Sequence, residues 1–282
     1  MSEVFFPSTL EEVYDIRKQS PDSMVLAGGT DLLVRMRNSE RKTSVLIGLE
    51  KIPALSRISI DHDFIRIGAT TTHQSLLDSS LIQTYFPLLH QALLVLGSPP
   101  IRHMGTIGGN ICTASPAGDT LPPLYVLEAE LELSSRDGTR VVPIREFITG
   151  PGKTVMNNHE ILTSIRIRMP DPSRRGWYLK VGQRRALAIS IVSMAVLIKM
   201  NPDRTIQDAR FAFGSVGPTV VRFLDLERSL AGAVPGFDEL SRFGMNIAER
   251  IQPISDIRAS ASYRKMVAKG LPLKILDGVP FI

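Results

Sequence analysis

Leu26-Ala27-Gly28-Gly29-Thr30-Asp31-Leu32-Leu33 follows an apolar run, Met24 to Ala27, that reads as a buried strand, and Thr106-Ile107-Gly108-Gly109-Asn110 repeats the pattern of two adjacent glycines beside short polar side chains. Glycine permits positive φ and lets backbone N–H groups approach a ligand with no Cβ in the way. Successive N–H groups in such a turn form a concave anion site suited to phosphate. A pyrophosphate carries two charged groups close together, so two such segments converging on it make physical sense. The spacing of a Rossmann G-x-G-x-x-G is absent, so a dinucleotide bound here is expected on a different fold.

Outward from the first segment, Ser8 and Thr9 precede Glu11 and Glu12 at capping-box spacing and predict a short helix. Val45 to Leu49 reads as a strand. Ile58 and Ile60, then Ile65 and Ile67, alternate around Asp61-His62-Asp63 and predict a hairpin. Thr70 to His73 leads into a helix, and Leu88 to Leu96 forms a second. A strand is expected before each glycine segment. Leu124 to Leu133 enters a hairpin through Arg136-Asp137-Gly138-Thr139, and Ile161 to Ile167 closes the region as a strand. Met169 to Arg175 reads as a linker. Beyond it, strands are expected over 189–200 and 209–214, an amphipathic helix over 219–230 stopped by Gly232, and a helical tail over 237–271. The expected class is α+β, with no internal repeat.

The 282 residues suffice for about two domains of about 100–200 residues. Hydrophobic residues at 43% and charged ones at 22% describe a globular chain with a core. The net charge of +5 is mild and gives no nucleic-acid signature. The basic pairs Arg174-Arg175 and Arg184-Arg185 read as solvated surface. One cysteine, Cys112, excludes an internal disulfide and any thiolate-built iron–sulfur or zinc site from this chain alone. Electron transfer would then need an organic cofactor here or clusters on another chain. No basic region followed by an apolar core opens the chain, and 186–198 is too short to span a bilayer. A cytoplasmic location is expected.

Gly150-Pro151-Gly152-Lys153-Thr154 imitates the end of a P-loop, but Phe147 stands where a glycine is required, so a plain loop is expected. The five histidines lack metal-ligand spacing, and no nucleophile elbow appears. Asp119, downstream of the second glycine segment, reads either as a turn carboxylate or as an acceptor for a ribose hydroxyl.

Ala27 to Leu32, Arg102 to Asn110 and Ala114-Ser115-Pro116-Ala117-Gly118-Asp119 together resemble the FAD-binding subunit of molybdenum hydroxylases, the group of xanthine dehydrogenase and aerobic carbon monoxide dehydrogenase. Gly68 to His73, Glu160-Ile161-Leu162 and Asp256 to Arg264 extend the resemblance over nearly the whole chain. It implies a two-part FAD-binding domain of the vanillyl-alcohol-oxidase (PCMH) type over 1–170, with subdomains 1–55 and 56–170, and a smaller C-terminal α+β domain over 175–282. It implies FAD as cofactor, with Leu26, Ala27, Gly28, Gly29, Thr30, Asp31, Leu32 and Leu33 at its pyrophosphate. Thr106, Ile107, Gly108, Gly109, Asn110 and Thr113 would face the same region, and Asp119 the ribose or adenosine end. Leu96, Leu162 and Lys180 would line the cofactor.

The resemblance further implies a large molybdopterin subunit and a small 2Fe–2S subunit as partners, with NAD or another external acceptor taking the electrons. No catalytic acid or base and no metal ligand is expected in this chain. Gly28-Gly29-Thr30-Asp31 departs from the Gly-Gly-His-Ser form of carbon monoxide dehydrogenases, which tilts the reading towards the xanthine dehydrogenase or aldehyde-oxidising side without settling the substrate. The alternatives are a carbon monoxide dehydrogenase subunit, a free-standing flavoenzyme resembling UDP-N-acetylenolpyruvoylglucosamine reductase, and an assembly module that has lost FAD.

Overall fold

Parallel strands need a crossover, and the N-terminal region supplies one twice. In the computed structural model, which describes residues 2–38, 43–184 and 187–277, β1 (Glu3–Phe5), β2 (Met24–Leu26) and β3 (Val45–Gly48) form a parallel sheet in the order β1-β3-β2. Helix α1 (Leu10–Gln19) joins β1 to β2, and α2 (Leu32–Arg37) follows β2. The capping signal works as read: Thr9 Oγ1 accepts from Glu12 N at 3.2 Å, and the Glu12 carboxylate accepts from Ser8 N at 2.7 Å. Val13 on α1 buries its side chain against Ile47, Leu49 and Ile52.

The chain divides into two compact units that interleave in sequence. The first comprises Met1–Ser79, Ser98–Thr113 and Glu128–Met169. Besides the parallel sheet it holds an antiparallel one, ordered β4-β5-β10-β6-β7, from β4 (Ile58–Asp61), β5 (Phe64–Gly68), β6 (Glu130–Ser135), β7 (Gly138–Pro143) and β10 (Ile161–Arg168). Alternation puts Ile65, Ile67, Leu131, Leu133, Ile165 and Ile167 in the interior. On the other face Arg66 pairs with Glu132. The short elements α3 (His73–Asp78), α6 (Pro99–Met104), α7 (Ile107–Thr113), α9 (Ile144–Phe147), β8 (Ile148–Gly150) and β9 (Lys153–Thr154) complete the unit. The P-loop imitation is the turn between β8 and β9, with Gly152 at φ +68°.

The second unit comprises Ser80–Gly97, Ala114–Leu127 and Pro170–Ile282. Its antiparallel sheet runs β11 (Arg174–Val181), β12 (Val192–Met200), β13 (Ile206–Gly214). Met194, Val196, Phe211 and Phe213 form a core with Phe243 and Ile247 of α11 (Phe237–Arg250). Helices α4 (Ser80–Tyr85), α5 (Pro87–Leu94), α8 (Leu121–Val126), α10 (Leu224–Ser229) and α12 (Ala261–Gly270) belong to this unit. Two of them dock through backbone: Tyr178 N donates to Gln91 Oε1 of α5 at 2.8 Å, and Arg210 Nη1 donates to the Val126 carbonyl of α8 at 3.1 Å.

Several local expectations give way. Strand β11 replaces the end of the expected linker, because Arg174 is half-buried and pairs with Asp208 on the same sheet. Arg174 is therefore no solvated surface charge; Arg185 and Ala186 lie outside the described residues. The 219–230 helix shrinks to α10, since Val221 and Phe213 exchange both backbone hydrogen bonds at 2.9 Å and hold the earlier residues extended. The helical tail breaks between α11 and α12, where Asp256 accepts from the N–H groups of Arg258 and Ala259. Residues 121–126 are helical before the β6–β7 hairpin, and the 189–200 strand starts at Val192. The second glycine segment follows helix α6, not a strand, and its glycines lie inside α7.

Candidate functional site

The first glycine segment is the exit of β2 into α2. Gly29 takes φ +69°, the left-handed region that side chains disfavour. Gly28 serves close packing: a Cβ there would stand 1.7 Å from the Met104 carbonyl oxygen at the end of α6. The N–H groups of Gly28, Gly29, Thr30 and Asp31 donate to no acceptor among the described residues. Buried or half-buried backbone donors are nearly always paired, so four in a row mark a place where water or an anionic ligand belongs. The Asp31 carboxylate is engaged elsewhere, accepting from Thr113 Oγ1 at 3.1 Å and ion-paired with Arg35 Nε at 3.0 Å. Leu26, Ala27, Leu32 and Leu33 flank this turn in sequence. Leu33 N closes α2 on the Gly29 carbonyl at 3.1 Å.

The second segment has spent its donors. Ile107 N goes to the Thr71 carbonyl at 3.0 Å and Gly108 N to the Ala69 carbonyl at 2.8 Å. Gly109 N goes to Thr106 Oγ1 at 3.1 Å, and Asn110 N to the Thr106 carbonyl at 2.9 Å. The expectation that both segments offer backbone N–H groups to one anion is corrected here: only the first has them to offer. Gly108 is again a packing glycine, its Cβ position lying 2.6 Å from the Ala69 oxygen. Gly109 differs, because a Cβ there would meet only Thr106 Oγ1, at 2.9 Å, and otherwise open space. The segment can thus contribute a bare, unobstructed face, the half-buried Asn110 amide and the Thr106 hydroxyl, whose oxygen already accepts from Gly109.

Leu96, Asp119 and Lys180 belong to the second unit, and Leu162 to β10 of the first. Lys180 Nζ donates to Asp119 Oδ2 at 2.6 Å and to the Val95 carbonyl, next to Leu96, at 3.1 Å. Tyr178 OH donates to Asp119 Oδ1 at 2.9 Å. Both oxygens of Asp119 are therefore engaged inside the unit, an arrangement that differs from an open ribose acceptor. Burial pushes the Asp119 carboxyl up, against the opposing pull of the Lys180 charge and the hydrogen bonds from Lys180 and Tyr178. Burial beside that carboxylate raises the Tyr178 phenol well above its usual value. A pair this enclosed, 8% and 10% exposed at the two side chains, holds position. Leu162 is 4% exposed.

Tyr178 escaped the sequence reading, and its signal was present. Residues 178 and 180 lie two apart on one strand and share a face, but β11 was read partly as linker. The carbonyls of Met104, Ala69 and Thr71, which hold the glycine segments, carry no sequence signal at all.

Residues 1–170 match the family model described as the FAD binding domain in molybdopterin dehydrogenase, and 177–279 match the CO dehydrogenase flavoprotein C-terminal domain. The chain belongs to this family of FAD-binding domains. It is 29% identical to the xanthine dehydrogenase FAD-binding subunit of Escherichia coli O157:H7, over 96% of this chain and 93% of that one. It is 30% identical to the nicotinate dehydrogenase FAD-subunit of Eubacterium barkeri, over 97% and 94%. Among solved structures, a chain of the carbon monoxide dehydrogenase from Hydrogenophaga pseudoflava superposes with TM-score 0.93 at 26% identity, covering 98% of this chain and 96% of that one.

The protein is thus an oxidoreductase flavoprotein subunit with FAD as its cofactor, and the α+β class with an FAD-binding domain and a C-terminal domain stands. Its residues fit the cofactor: four unspent N–H donors in one glycine turn suit a pyrophosphate. Among the described residues no cluster of His, Cys, Asp or Glu could hold a metal ion, and no helix is long and apolar enough to cross a membrane.

Proposed function

We propose that this chain is the FAD-carrying medium subunit of a heteromeric, xanthine dehydrogenase-like molybdenum enzyme. It would receive electrons from 2Fe–2S clusters on a small partner, and substrate oxidation would take place at a molybdopterin centre on a large partner. NAD or another external acceptor would take the electrons onward. FAD suits that position because a flavin accepts electrons singly and releases them in pairs.

The observation that carries the reading is the run of four unspent N–H groups from Gly28 to Asp31 in a chain of this family. We assign those groups to the FAD pyrophosphate, with the flanking Leu26, Ala27, Leu32 and Leu33 shaping the turn. Neutral donors can bind a doubly charged group without a buried counter-charge of their own. Thr106, Gly109 and Asn110 would close the cradle from the second segment, while Ile107 and Gly108 seat that segment on residues 69–71. Thr113 holds Asp31 turned away from the phosphates. Lys180, kept in place by Asp119 and Tyr178, and the apolar Leu96 and Leu162 are assigned to the cofactor by the family resemblance alone.

The test is purification of the native complex. The chain should elute with a large molybdopterin-binding chain and a small iron–sulfur chain, and show flavin absorbance. A chain that elutes alone and oxidises a substrate unaided would overturn the proposal.

A further inference from the structure

The first unit carries a second concave site, lined by no residue of either glycine segment. Helix α1, the β6–β7 turn and residues 158–159 enclose a cavity of about 410 Å3, within the range of about 300–1,000 Å3 typical of small-molecule sites. Arg17, Lys18 and Arg136 line it with His159, and Asp137 is the one carboxylate among the lining residues. Tyr14 adds an aromatic ring, its hydroxyl held by Ser134 Oγ at 2.8 Å.

Arg17 is the unusual member. Its Nη1 donates to a neutral acceptor, the Glu160 carbonyl, at 2.9 Å, and its buried Nε has no partner among the described residues. The Glu160 carboxylate could have neutralised it, but that group is committed to Arg140, 2.9 Å from Nη2 to Oε2, and to Asn157 N at 2.7 Å. Arg136 is already paired with Asp15. Arg17 is therefore a half-buried cation with no carboxylate partner among the described residues, and burial lowers its affinity for the proton. A guanidinium drawn out of water without a counter-charge is costly, and an anion in the adjoining cavity removes that cost.

We infer that this cavity binds a small phosphorylated anion through Arg17 and Lys18. Each phosphate group carries about 1.5–2 negative charges near neutral pH, which matches a cluster of cations better than a single carboxylate does.

The experiment is calorimetric titration of the full chain with ADP and, separately, with inorganic pyrophosphate at low ionic strength. ADP can also enter the flavin cradle, so the titrations are repeated on Gly109→Val, Arg17→Met and Lys18→Glu. Saturable binding that persists in Gly109→Val and weakens at least tenfold in both Arg17→Met and Lys18→Glu is the expected result. Lys18 is exposed, so its replacement tests the site without disturbing the packing around Glu160. Binding lost only in Gly109→Val would place the phosphate in the flavin cradle and overturn the inference. So would no binding of either probe, or unchanged binding in Lys18→Glu. Capture of an acidic peptide by a chain that binds neither phosphate probe would assign the cavity to a protein partner and equally overturn it.

Discussion

The two glycine segments look alike in sequence and do different work in the fold. The first turns from β2 into α2 with four N–H groups left over; the second sits inside α7 with its N–H groups consumed by Thr71, Ala69 and Thr106. Within each pair the glycines also divide. Gly28 and Gly108 are needed because a backbone oxygen lies where their Cβ would go, and Gly29 because of its positive φ, whereas at Gly109 the Cβ direction meets only Thr106 Oγ1. One segment is a donor surface. The other is a buttress with one bare face.

The sharpest way to break this division is Gly28→Ala. A methyl group 1.7 Å from the Met104 oxygen cannot be accommodated without moving backbone, and overpacking of that severity should cost more than about 3 kcal/mol. Thermal unfolding should show a large loss of stability with or without flavin. A variant as stable as the parent would show that the contact between the first segment and α6 is dispensable.

Acid should come next, through the support of the second segment. His73 N donates to the Gly105 carbonyl at 2.9 Å, and the buried imidazole has its pKa lowered to about 4 by burial first and the Arg102 charge second. The unfolded chain therefore takes up a proton near pH 6.5 that the folded chain refuses until about pH 4. Stability should be full above pH 6.5 and fall as pH drops towards 4, by about 3 kcal/mol at most. Denaturant titrations of His73→Gln should show a flatter profile across that window; an unchanged slope would remove His73 as the cause.

Gly109→Val tests the open face. FAD affinity should fall about a hundredfold, about 2.7 kcal/mol, while unfolding of the second unit is unchanged. Normal flavin content in that variant would exclude the second segment from the cofactor site. The smallest effect is expected from Thr113→Val, which removes the hydroxyl donor to Asp31. About 1 kcal/mol of stability should be lost, with a fewfold weaker hold on FAD as Asp31 keeps only its Arg35 partner. Denaturant unfolding reads the loss of stability and flavin fluorescence titration the loss of affinity.

The sequence by itself determined the class and the position of the glycine turn that keeps four unspent N–H groups. Capping at Thr9, the alternation of Ile65, Ile67, Ile165 and Ile167, and the paired glycines are local signals, because each reports a period, a cap or a missing side chain within a few residues. Three further matters were decided only by tertiary structure. Which N–H groups of the two segments remain free depends on carbonyls at Ala69 and Thr71, which take those of Gly108 and Ile107 from far along the chain. The grouping of α4, α5 and α8 with the C-terminal sheet depends on contacts such as Gln91 to Tyr178 and Val126 to Arg210. The enclosure of Lys180 by Asp119, Val95 and Tyr178 depends on three separate stretches meeting in one buried place. Backbone carbonyls are the same in every residue, so a hydrogen bond to one leaves no mark on the sequence, and only the fold can say where it goes.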